Sequence, residues 1–420
     1  MSELRRRKVL MLIPNLGYGG AQRSFLALKK VLERHHDVLA IAFDNGGGGN
    51  ESDTSEEGFQ FLGQSGEALG VFGRVKRWYR RYARLKHLKQ QHGAEISISF
   101  LEGADVLNVL TRGTERTLVS IRGSKRFDPH IRGLQGLIRR HLVWPLIYPK
   151  ADAIVGISGG VSAEVHGLGF VGRGATLETI GLSLNVARMV AAASEPVERE
   201  FSSISECPVI VSWGRLSDEK GYGHLLRVFA GVKQVMSDAK LLLIGDGPFK
   251  DVLVSEAERL GLRIAYRAED ALASDLLLIG YRESPIRYAK LARVFILSSD
   301  AEGFGNSLVE ALAAGLPVMA ADCPWGARSV LSTNPPDVNN PYPSHAPSFV
   351  DFGVLMPRID LVCYEQVWID EVVRALSGRG EYDTYRHKGP IRALEFDESK
   401  VARKWLDVVD VLAIKKRGLL

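Results

Sequence analysis

The sequence predicts an α/β protein built from two doubly wound domains, and three observations support this prediction. Short apolar runs of the kind found in buried parallel strands alternate with longer segments of helical periodicity. This alternation begins twice, at residues 8–13 and again at residues 209–213, with an Ala-, Ser- and Glu-rich stretch before the second start. The length of 420 residues is also sufficient for two or three domains.

The predicted domain boundaries follow from these changes of pattern. We expect a first domain over residues 1–187, a linker over residues 188–207 and a second domain over residues 208–396. Residues 397–420 begin with polar capping residues and continue as an amphipathic helix. Glycine-rich residues 44–58 are expected to form a flexible loop. Proline-rich residues 334–352 predict an irregular insertion.

Composition limits the class of protein. The formal net charge of +5 and the isoelectric point near 9.0 favour an acidic ligand, an anionic membrane surface or nucleic acid, without selecting one. Cys207, Cys323 and Cys363 are scattered, which predicts reduced thiols and neither disulfides nor a zinc site. The charged start of the chain is unlike a signal peptide, and no apolar run reaches the ~18 residues of a spanning helix. We therefore expect a cytoplasmic protein.

Residues 292–317 carry the most informative chemical pattern. An apolar run predicts a strand, a glycine-containing loop follows it, and strong helix formers come next. A helix start presents unpaired amides to an anion, and Gly303 and Gly305 let a ligand approach the backbone closely. Glu302 lies in this loop and Glu310 about two turns into the helix, so one carboxylate can reach a sugar hydroxyl at one end of a ligand and the other a ribose at the far end. The two glutamates alone would more often be surface residues, but in this context they predict a nucleotide-sugar site.

Two other strand–loop–helix units predict anion contacts. Arg215 and Lys220 lie five residues apart in the loop after residues 209–213, where both can converge on one diphosphate. The alternative interpretation is a pair of ordinary loop cations. Residues 14–20 form a glycine-rich loop near the start of the chain, but the Gly-x-Gly-Gly spacing differs from the dinucleotide-binding fingerprint.

Together these motifs resemble the retaining glycosyltransferase family 4, also called glycosyl transferases group 1, in its bacterial surface-polysaccharide form. The matching features are Glu302 and Glu310, with Gly-Phe-Gly after the first, and a Gly-Arg-Leu run at residues 214–216 followed by Lys-Gly. The resemblance implies the GT-B fold, in which two doubly wound, Rossmann-like domains face each other across a cleft. The first domain would be the acceptor side, the second would bind the nucleotide-sugar, and residues 397–420 would pack back on the first.

The resemblance also implies roles for individual residues. Arg215, Lys220 and Glu302 are expected to be catalytic. Arg122 is expected to be catalytic as well, in a position where family members often carry a histidine. Residues 322–331 resemble a further segment of the surface-glycan members, with two departures from its pattern. The residues expected to bind the donor are Gly17, Gly19, Gly20, Gly214, Tyr281, Gly303, Phe304, Gly305, Asn306, Ser307, Leu308 and Glu310.

The expected reaction follows from the same resemblance. A hexose or N-acetylhexosamine would pass from a nucleotide-sugar, with UDP as the expected carrier, to a saccharide acceptor in surface polysaccharide or lipopolysaccharide assembly. The acceptor is expected to be lipid-linked, for example through polyprenyl diphosphate. No cofactor and no metal are expected, since the leaving diphosphate would be neutralised by Arg215, Lys220 and helix-start amides.

Two other classes of function remain open at this level. One is a nucleotide-sugar epimerase or hydrolase on the same fold, which would release an epimer or a free sugar without an acceptor. The other is a non-catalytic basic module that binds lipid or nucleic acid. The absence of a recognisable nucleic-acid motif argues against nucleic acid.

A basic segment at residues 74–89 suggests a second surface. Its charged residues are all cations, and its apolar residues have helical spacing, so we expect the apolar stripe to pack on the sheet. The cations are then either simply solvated or in contact with anionic lipid at the cytoplasmic membrane face. Residues 131–148 repeat the pattern more weakly. The cations are Arg74, Lys76, Arg77, Arg80, Arg81, Arg84, Lys86 and Lys89, and the stripe is Val75, Trp78, Tyr79, Tyr82, Leu85 and Leu88.

Overall fold

The chain divides into two compact units. The computed structural model describes residues 5–17, 20–44, 58–63, 70–127, 133–204, 206–334, 337, 339–340, 344–378 and 381–414. One unit comprises Met1–Ser183 and Ser399–Leu420, and the other comprises Leu184–Glu398. Each unit has its own sheet of mainly parallel strands and its own buried apolar residues.

The described part of the first unit contains one parallel sheet of seven strands. Their spatial order is β3-β2-β1-β4-β5-β6-β7. The strands are β1 (Lys8–Asn15), β2 (Asp37–Asp44), β3 (Phe59–Phe61), β4 (Ile96–Phe100), β5 (Arg116–Ile121), β6 (Ala153–Gly156) and β7 (Thr176–Thr179). The helices are α1 (Gly20–His35), α2 (Val71–His92), α3 (Glu102–Leu110), α4 (Gly133–Ile138), α5 (Trp144–Ile147) and α6 (Gly159–Gly167). A π-helical turn, Arg139–Val143, joins α4 to α5.

The described part of the second unit contains a sheet of eight strands. Its order is β10-β11-β9-β8-β12-β13-β15-β14, and every pair is parallel except β14 with β15. The strands are β8 (Val209–Trp213), β9 (Lys240–Ile244), β10 (Ile264–Ala265), β11 (Leu276–Leu278), β12 (Val294–Leu297), β13 (Val318–Ala321), β14 (Ser348–Val350) and β15 (Gly353–Met356). The helices are α7 (Val186–Ser194), α8 (Tyr222–Val235), α9 (Lys250–Arg259), α10 (Asn306–Ala313), α11 (Gly326–Leu331), α12 (Glu365–Leu376) and α13 (Tyr382–Ala393).

Alternate residues of β1 show that the first sheet is covered by helices on both faces. Val9 and Met11 share a core with residues of α1 and of the last helix, α14 (Glu398–Ile414). Leu10 and Leu12 share a different core with residues of α2 and α3. Because side chains alternate along a strand, these two cores lie on opposite faces of the sheet. This is the doubly wound arrangement, with α14 closing one face through Trp405, which stacks on Phe100 at a centroid distance of 5.9 Å.

The segment predicted as a linker is itself structured. Helix α7 begins beside it, with the Asn185 side chain accepting a hydrogen bond from the Arg188 amide at 2.8 Å. A 3₁₀ helix, Arg199–Ile204, follows. Phe201 in this helix is buried and packs edge-on against Tyr288 at 5.5 Å. Alanine-rich composition, which suggested a linker, is equally typical of a short helix.

Helix α2 differs from the expected packing along its first two turns. Leu85 and Leu88 are buried, as expected for a stripe that packs on the sheet. Val75 and Tyr79, however, are 64% and 71% exposed. The expectation that the whole stripe packs is wrong because Tyr79 and Leu88 are nine residues apart. This separation is about two and a half helical turns, which places the two side chains on opposite sides of the helix.

Two cations of α2 are buried in ion pairs and do not contribute to its exposed surface. Arg81 donates to Asp44 at 2.8 Å, and Lys89 donates to Glu115 at 2.7 Å. Both cationic side chains are buried. Burial lowers the pKa of Lys89 to about 8, against the opposing effect of the Glu115 carboxylate. The predicted solvated cluster therefore loses these two charges.

The two predicted irregular segments have different outcomes. The glycine-rich run at residues 46–49 lies outside the described residues. Part of the proline-rich insertion forms β14, which pairs antiparallel with β15. No α-helix in the described part of the chain has the length and apolar character that crossing a lipid bilayer requires.

Candidate nucleotide-sugar site

The strand order of the second sheet brings two predicted loops together. Strands β8 and β12 are neighbours, although five elements of the chain separate them, so the connections leave in opposite directions at this point. In parallel α/β sheets, ligands bind at the carboxyl ends of the strands beside such a switch point. The loop with Arg215 and Lys220 follows β8, and the loop with Glu302 follows β12.

Close backbone contacts join these two loops. Gly221 has a φ of 65°, and a Cβ at this position would lie 2.0 Å from the Ser298 carbonyl oxygen. Only glycine permits this approach. The Ser298 hydroxyl donates to the Lys220 carbonyl at 2.8 Å, and the Asp300 amide donates to the Glu219 carbonyl at 3.0 Å. The backbone on both sides of Lys220 is therefore tied to the start of the β12 loop.

Lys220 and Glu302 form an ion pair across the two loops. The Lys220 ammonium donates to Oε1 of Glu302, and the two side chains are 23% and 15% exposed. Burial disfavours the ammonium, but the charge and hydrogen bond of Glu302 outweigh it and raise the pKa of Lys220 above its ordinary value. Lys220 is therefore held as a cation, with its charge directed into the loop that carries Glu302.

The backbone of Glu302 is held by a third segment, the one after β13. The Glu302 amide donates to the Pro324 carbonyl at 3.1 Å, and the Glu302 carbonyl accepts from Trp325 at 3.0 Å and from Gly326 at 2.8 Å. A Cβ on Gly326 would lie 2.8 Å from that carbonyl and 2.7 Å from the Phe304 amide nitrogen. Sequence reasoning noted residues 322–331 without a site role, whereas the structure uses them to position Glu302.

Glu310 is held by a residue that sequence reasoning missed. The indole Nε1 of Trp213 donates to Oε2 of Glu310 at 2.6 Å. Trp213 is the last residue of β8, is almost fully buried, and packs against Phe295 at a centroid distance of 4.5 Å. An apolar residue at the end of a predicted strand gave no signal for this role, because core packing explains it equally well.

The loop after β12 ends in a helix start that is open to a ligand. Gly305 has a φ of 91° and precedes α10, while Asn306 and Ser307 in its first turn are partly exposed, as is Gly303. The first amides of a helix of this kind attract an anion. This part of the expected donor site is therefore accessible in the second unit.

The side chains of two expected donor-binding residues face the core instead. Phe304 is buried and packs edge-on against Phe396 at 5.1 Å. Leu308 is fully buried, and its amide donates to the Gly305 carbonyl at 3.1 Å. Helical periodicity explains this outcome, because Leu308 lies on the apolar face of α10 that packs on the sheet. Their packing in the core fixes the shape of the loop after β12.

Three other expected residues lie at the carboxyl ends of strands in the same sheet. Arg215 follows β8 and is exposed. Gly214 precedes it, and its amide donates to the Ile244 carbonyl at 3.0 Å. Tyr281 comes shortly after β11 and is 70% exposed. These positions lie on the same edge of the sheet as Lys220 and Glu302, because the strands β8, β11 and β12 are parallel.

The first unit contains the remaining expected residues. The Asn15 Oδ1 atom accepts from the Gly17 amide at 3.3 Å and from the Gln22 side chain at 2.9 Å, which shapes the turn between β1 and α1. Gly20 is the first residue of α1. Gly19 lies outside the described residues.

Arg122, expected to be catalytic, is packed against side chains of its own unit. It follows β5, and its Nη2 atom donates to the Ser24 hydroxyl at 2.8 Å. The guanidinium lies over the Phe100 ring, 5.4 Å from the centroid. Burial lowers the pKa of Arg122 to about 9. The structure therefore gives Arg122 a definite anchor on α1 through Ser24.

The part of the chain that the structure describes contains no cluster of metal ligands. Within it, no group of three or more His, Cys, Asp or Glu side chains is placed to hold a metal ion.

Comparison with known proteins identifies the class of enzyme. Residues 207–340 match the family model described as glycosyl transferases group 1. An uncharacterized glycosyltransferase of Methanocaldococcus jannaschii is 27% identical over 226 residues, which are 51% of this chain and about half, 52%, of that relative. The N-acetylgalactosamine-N,N'-diacetylbacillosaminyl-diphospho-undecaprenol 4-alpha-N-acetylgalactosaminyltransferase of Campylobacter jejuni is 24% identical over 401 residues, 94% of this chain and 98% of that enzyme.

Solved structures show the same fold across the chain. The crystal structure of Anabaena Alr3699/HepE in complex with UDP and glucose superposes with a TM-score of 0.70 at 16% identity, covering 96% of this chain and 100% of that one. The apo form of the lipopolysaccharide outer core galactosyltransferase WaaB gives a TM-score of 0.65 at 15% identity, covering 96% and 99%. With its group 1 domain at residues 207–340, its glycosyltransferase relatives and this fold, the chain is a glycosyltransferase of the GT-B type.

Proposed function

We propose that this enzyme transfers a hexose or N-acetylhexosamine from a UDP-linked donor to a lipid-linked saccharide acceptor, with retention at the anomeric carbon. The observation that carries the proposal is the Lys220–Glu302 pair, held at the switch point of the second sheet beside the open start of α10. It combines a fixed cation, a carboxylate and helix amides, which are the groups that a sugar diphosphate needs.

The donor diphosphate is expected to bind Lys220, Arg215 and the first amides of α10. Lys220 is a point charge that Glu302 holds in place, whereas Arg215 is exposed and free to turn its fork toward two phosphate oxygens. As the bond between the anomeric carbon and the phosphate oxygen breaks, negative charge develops on the leaving diphosphate. Cations positioned in advance stabilise that charge most effectively.

The two carboxylates bind opposite ends of the donor in this proposal. Glu302 accepts hydrogen bonds from hydroxyl groups of the transferred sugar, and Glu310 accepts hydrogen bonds from hydroxyl groups of the ribose. The acceptor oxygen attacks the anomeric carbon from the face that the diphosphate leaves, and its proton passes to the leaving phosphate oxygen. No protein base is needed for this step.

The names of relatives support the choice of substrates. The Campylobacter enzyme named above, which matches nearly all of the chain, is named for transfer of N-acetylgalactosamine to a saccharide on diphospho-undecaprenol. Another relative, 23% identical over 78% of this chain and 82% of that enzyme, is also named for an α-1,4-N-acetyl-D-galactosaminyl transfer to a saccharide on PP-undecaprenol. UDP is the nucleotide named in the superposed Anabaena complex.

Replacing either proposed diphosphate cation should impair turnover strongly. We expect Arg215→Ala and Lys220→Ala each to lower kcat/KM by about 10²–10³, the loss typical of one charge-stabilising group. The measurement is UDP release from UDP-N-acetylhexosamine with a polyprenyl-diphosphate-linked saccharide as acceptor. Release that proceeds equally without acceptor would instead indicate a hydrolase.

Stability measurements separate catalysis from folding in this test. Lys220→Ala leaves the Glu302 charge without its ion-pair partner, so its melting temperature should also fall. Arg215 is exposed, and its removal should leave the melting temperature unchanged. Arg259→Ala is the matched control, since Arg259 forms an exposed ion pair with Glu256 on α9. Rates near that of the wild type in both test variants would remove these cations from the site.

We also propose that turnover requires no metal. Protein cations and helix amides take the place that a divalent ion would occupy on the diphosphate. Activity should therefore survive extensive dialysis against EDTA and remain within about twofold of the untreated enzyme, since neither cation is removed. Complete loss with EDTA, followed by recovery with magnesium or manganese, is the result that contradicts this proposal.

The first unit offers a surface suited to an anionic membrane, where a lipid-linked acceptor is found. Phe72, Val75 and Tyr79 follow helical spacing on α2 and are 92%, 64% and 71% exposed. Lys76 and Arg80, which follow Val75 and Tyr79 in the chain, are exposed as well. Exposed apolar side chains flanked by cations are typical of helices that lie in the membrane interface. On the segment from α4 to α5, five apolar residues are also exposed: Leu134, Leu137, Ile138, Leu142 and Leu146.

Liposome sedimentation tests this surface. We expect binding to vesicles that contain anionic lipid, weaker binding as salt rises, and a marked loss on replacing Lys76, Arg80 and Lys86 with Gln, since each cation contributes roughly 1 kcal/mol at an anionic surface. The double variant Phe72→Ser/Tyr79→Ser should also bind more weakly, and because this loss comes from apolar contacts it should be similar at low and high salt. The charge-matched control replaces Arg259, Arg267 and Lys388 of the second unit with Gln. Equal binding to neutral and anionic vesicles would refute the membrane role of α2.

A further inference from the structure

The hydrogen bond between Trp213 and Glu310 plays no part in the proposed transfer step. An indole N–H can only donate, so at 2.6 Å from the indole nitrogen the Glu310 oxygen must be the acceptor. A hydrogen bond to an ionised carboxylate is among the stronger ones in proteins. The contact therefore holds the orientation of the Glu310 carboxylate.

Trp213 is a rigid support for that carboxylate. Its side chain is 3% exposed, packs on Phe295 of the neighbouring strand, and has only two side-chain torsions. Glu310, in contrast, is on a partly exposed face of α10 and has three torsions. A glutamate of this kind normally loses rotamer freedom when a ligand binds. Here part of that ordering is already present in the protein.

We propose that Trp213 is a positioning residue that presents the Glu310 carboxylate to the ribose of the donor nucleotide and so makes the enzyme select ribonucleotides over 2′-deoxyribonucleotides. The inference rests on the proposed function, in which Glu310 binds the ribose. A carboxylate has about four lone-pair positions, so one carboxylate can accept from an indole and from ligand hydroxyls at the same time. In the proposed donor complex, the vicinal 2′- and 3′-hydroxyls of the ribose donate to two of these positions. A 2′-deoxy sugar leaves one of these positions without a donor.

The chain supplies a matched control for loss of a buried indole hydrogen bond. Trp368 is fully buried in the same unit, and its Nε1 atom donates to the Pro357 carbonyl at 3.0 Å. It lies on α12, and its indole N–H is used by the Pro357 carbonyl and not by a carboxylate. Trp213→Phe and Trp368→Phe thus remove the same chemical group from two buried sites, only one of which faces the proposed ribose carboxylate.

The experiment is calorimetric titration of each full-length variant with UDP and with 2′-deoxy-UDP. We expect the wild type and Trp368→Phe to bind UDP at least about tenfold more tightly than 2′-deoxy-UDP, as for one hydrogen bond to a charged group. Trp213→Phe should lose about tenfold in UDP affinity while its affinity for 2′-deoxy-UDP changes much less. Because both ligands are titrated into the same sample, the ratio of affinities does not depend on the folded fraction.

Kinetics provide a second readout. A tryptophan with a purely structural role would not change KM for the donor while leaving kcat unchanged. Trp213→Phe should raise KM for the UDP-sugar with kcat within about twofold, since the ribose is remote from the breaking bond. If Trp213→Phe keeps the wild-type preference for UDP over 2′-deoxy-UDP while Glu310→Gln loses it, the positioning role is wrong and the proposed function stands. If the wild type binds neither nucleotide, the proposed UDP donor fails, and this inference fails with it.

Discussion

The ion pair between Lys220 and Glu302 is the interaction on which the candidate site depends. It joins the loop after β8 to the loop after β12, two segments that are 82 residues apart in the chain. Since both side chains are largely removed from water, each charge requires the other, and neither loop can move independently without separating them. We propose that the same two groups bind the sugar diphosphate, in which case the contact that orders the loops also positions them for the ligand.

Backbone geometry makes this pair possible. Parallel strands place their carboxyl ends on one edge of the sheet, and the reversal of strand order between β8 and β12 leaves that edge open. Glycines then permit close approaches that any side chain would block. Gly221 contacts the Ser298 carbonyl, and Gly326 contacts the backbone around Glu302. Close backbone contacts thus hold the two charged side chains, while Arg215 is exposed and the start of α10 is partly exposed, where we propose that the donor binds.

Local patterns were sufficient to predict the fold class and the residues of the central pair. Strand-like runs followed by glycine-containing loops and helices predict parallel α/β units, and Lys220 and Glu302 were identified by the motifs around them. Trp213 could not be predicted, because an aromatic residue at a strand end is usually explained by core packing alone. Its partner Glu310 is 97 residues away, and that distance is closed only by the sheet topology. The orientation of Phe304 and Leu308 toward the core was likewise missed.

Long-range pairing also explains why the surface of α2 differs from the one predicted from the sequence. The sequence shows a row of cations, but it does not show that Arg81 meets Asp44 or that Lys89 meets Glu115. Apolar spacing predicts a helix without deciding how wide its buried face is. As a result, Leu85 and Leu88 pack as expected whereas Phe72, Val75 and Tyr79 remain exposed. A charge pattern in sequence therefore overestimates the cations available at a surface and can underestimate its apolar area.

A double-mutant cycle on Lys220 and Glu302 tests the central claim most directly. Lys220→Met, Glu302→Gln and the double variant would be compared by kcat/KM for the nucleotide-sugar donor. If the two residues act as one unit on the donor, the double variant should lose about as much as the more impaired single variant, a loss on the order of 10²–10³. Losses that multiply would mean that the two side chains act independently. A double variant with near wild-type turnover would mean that the pair serves only the fold.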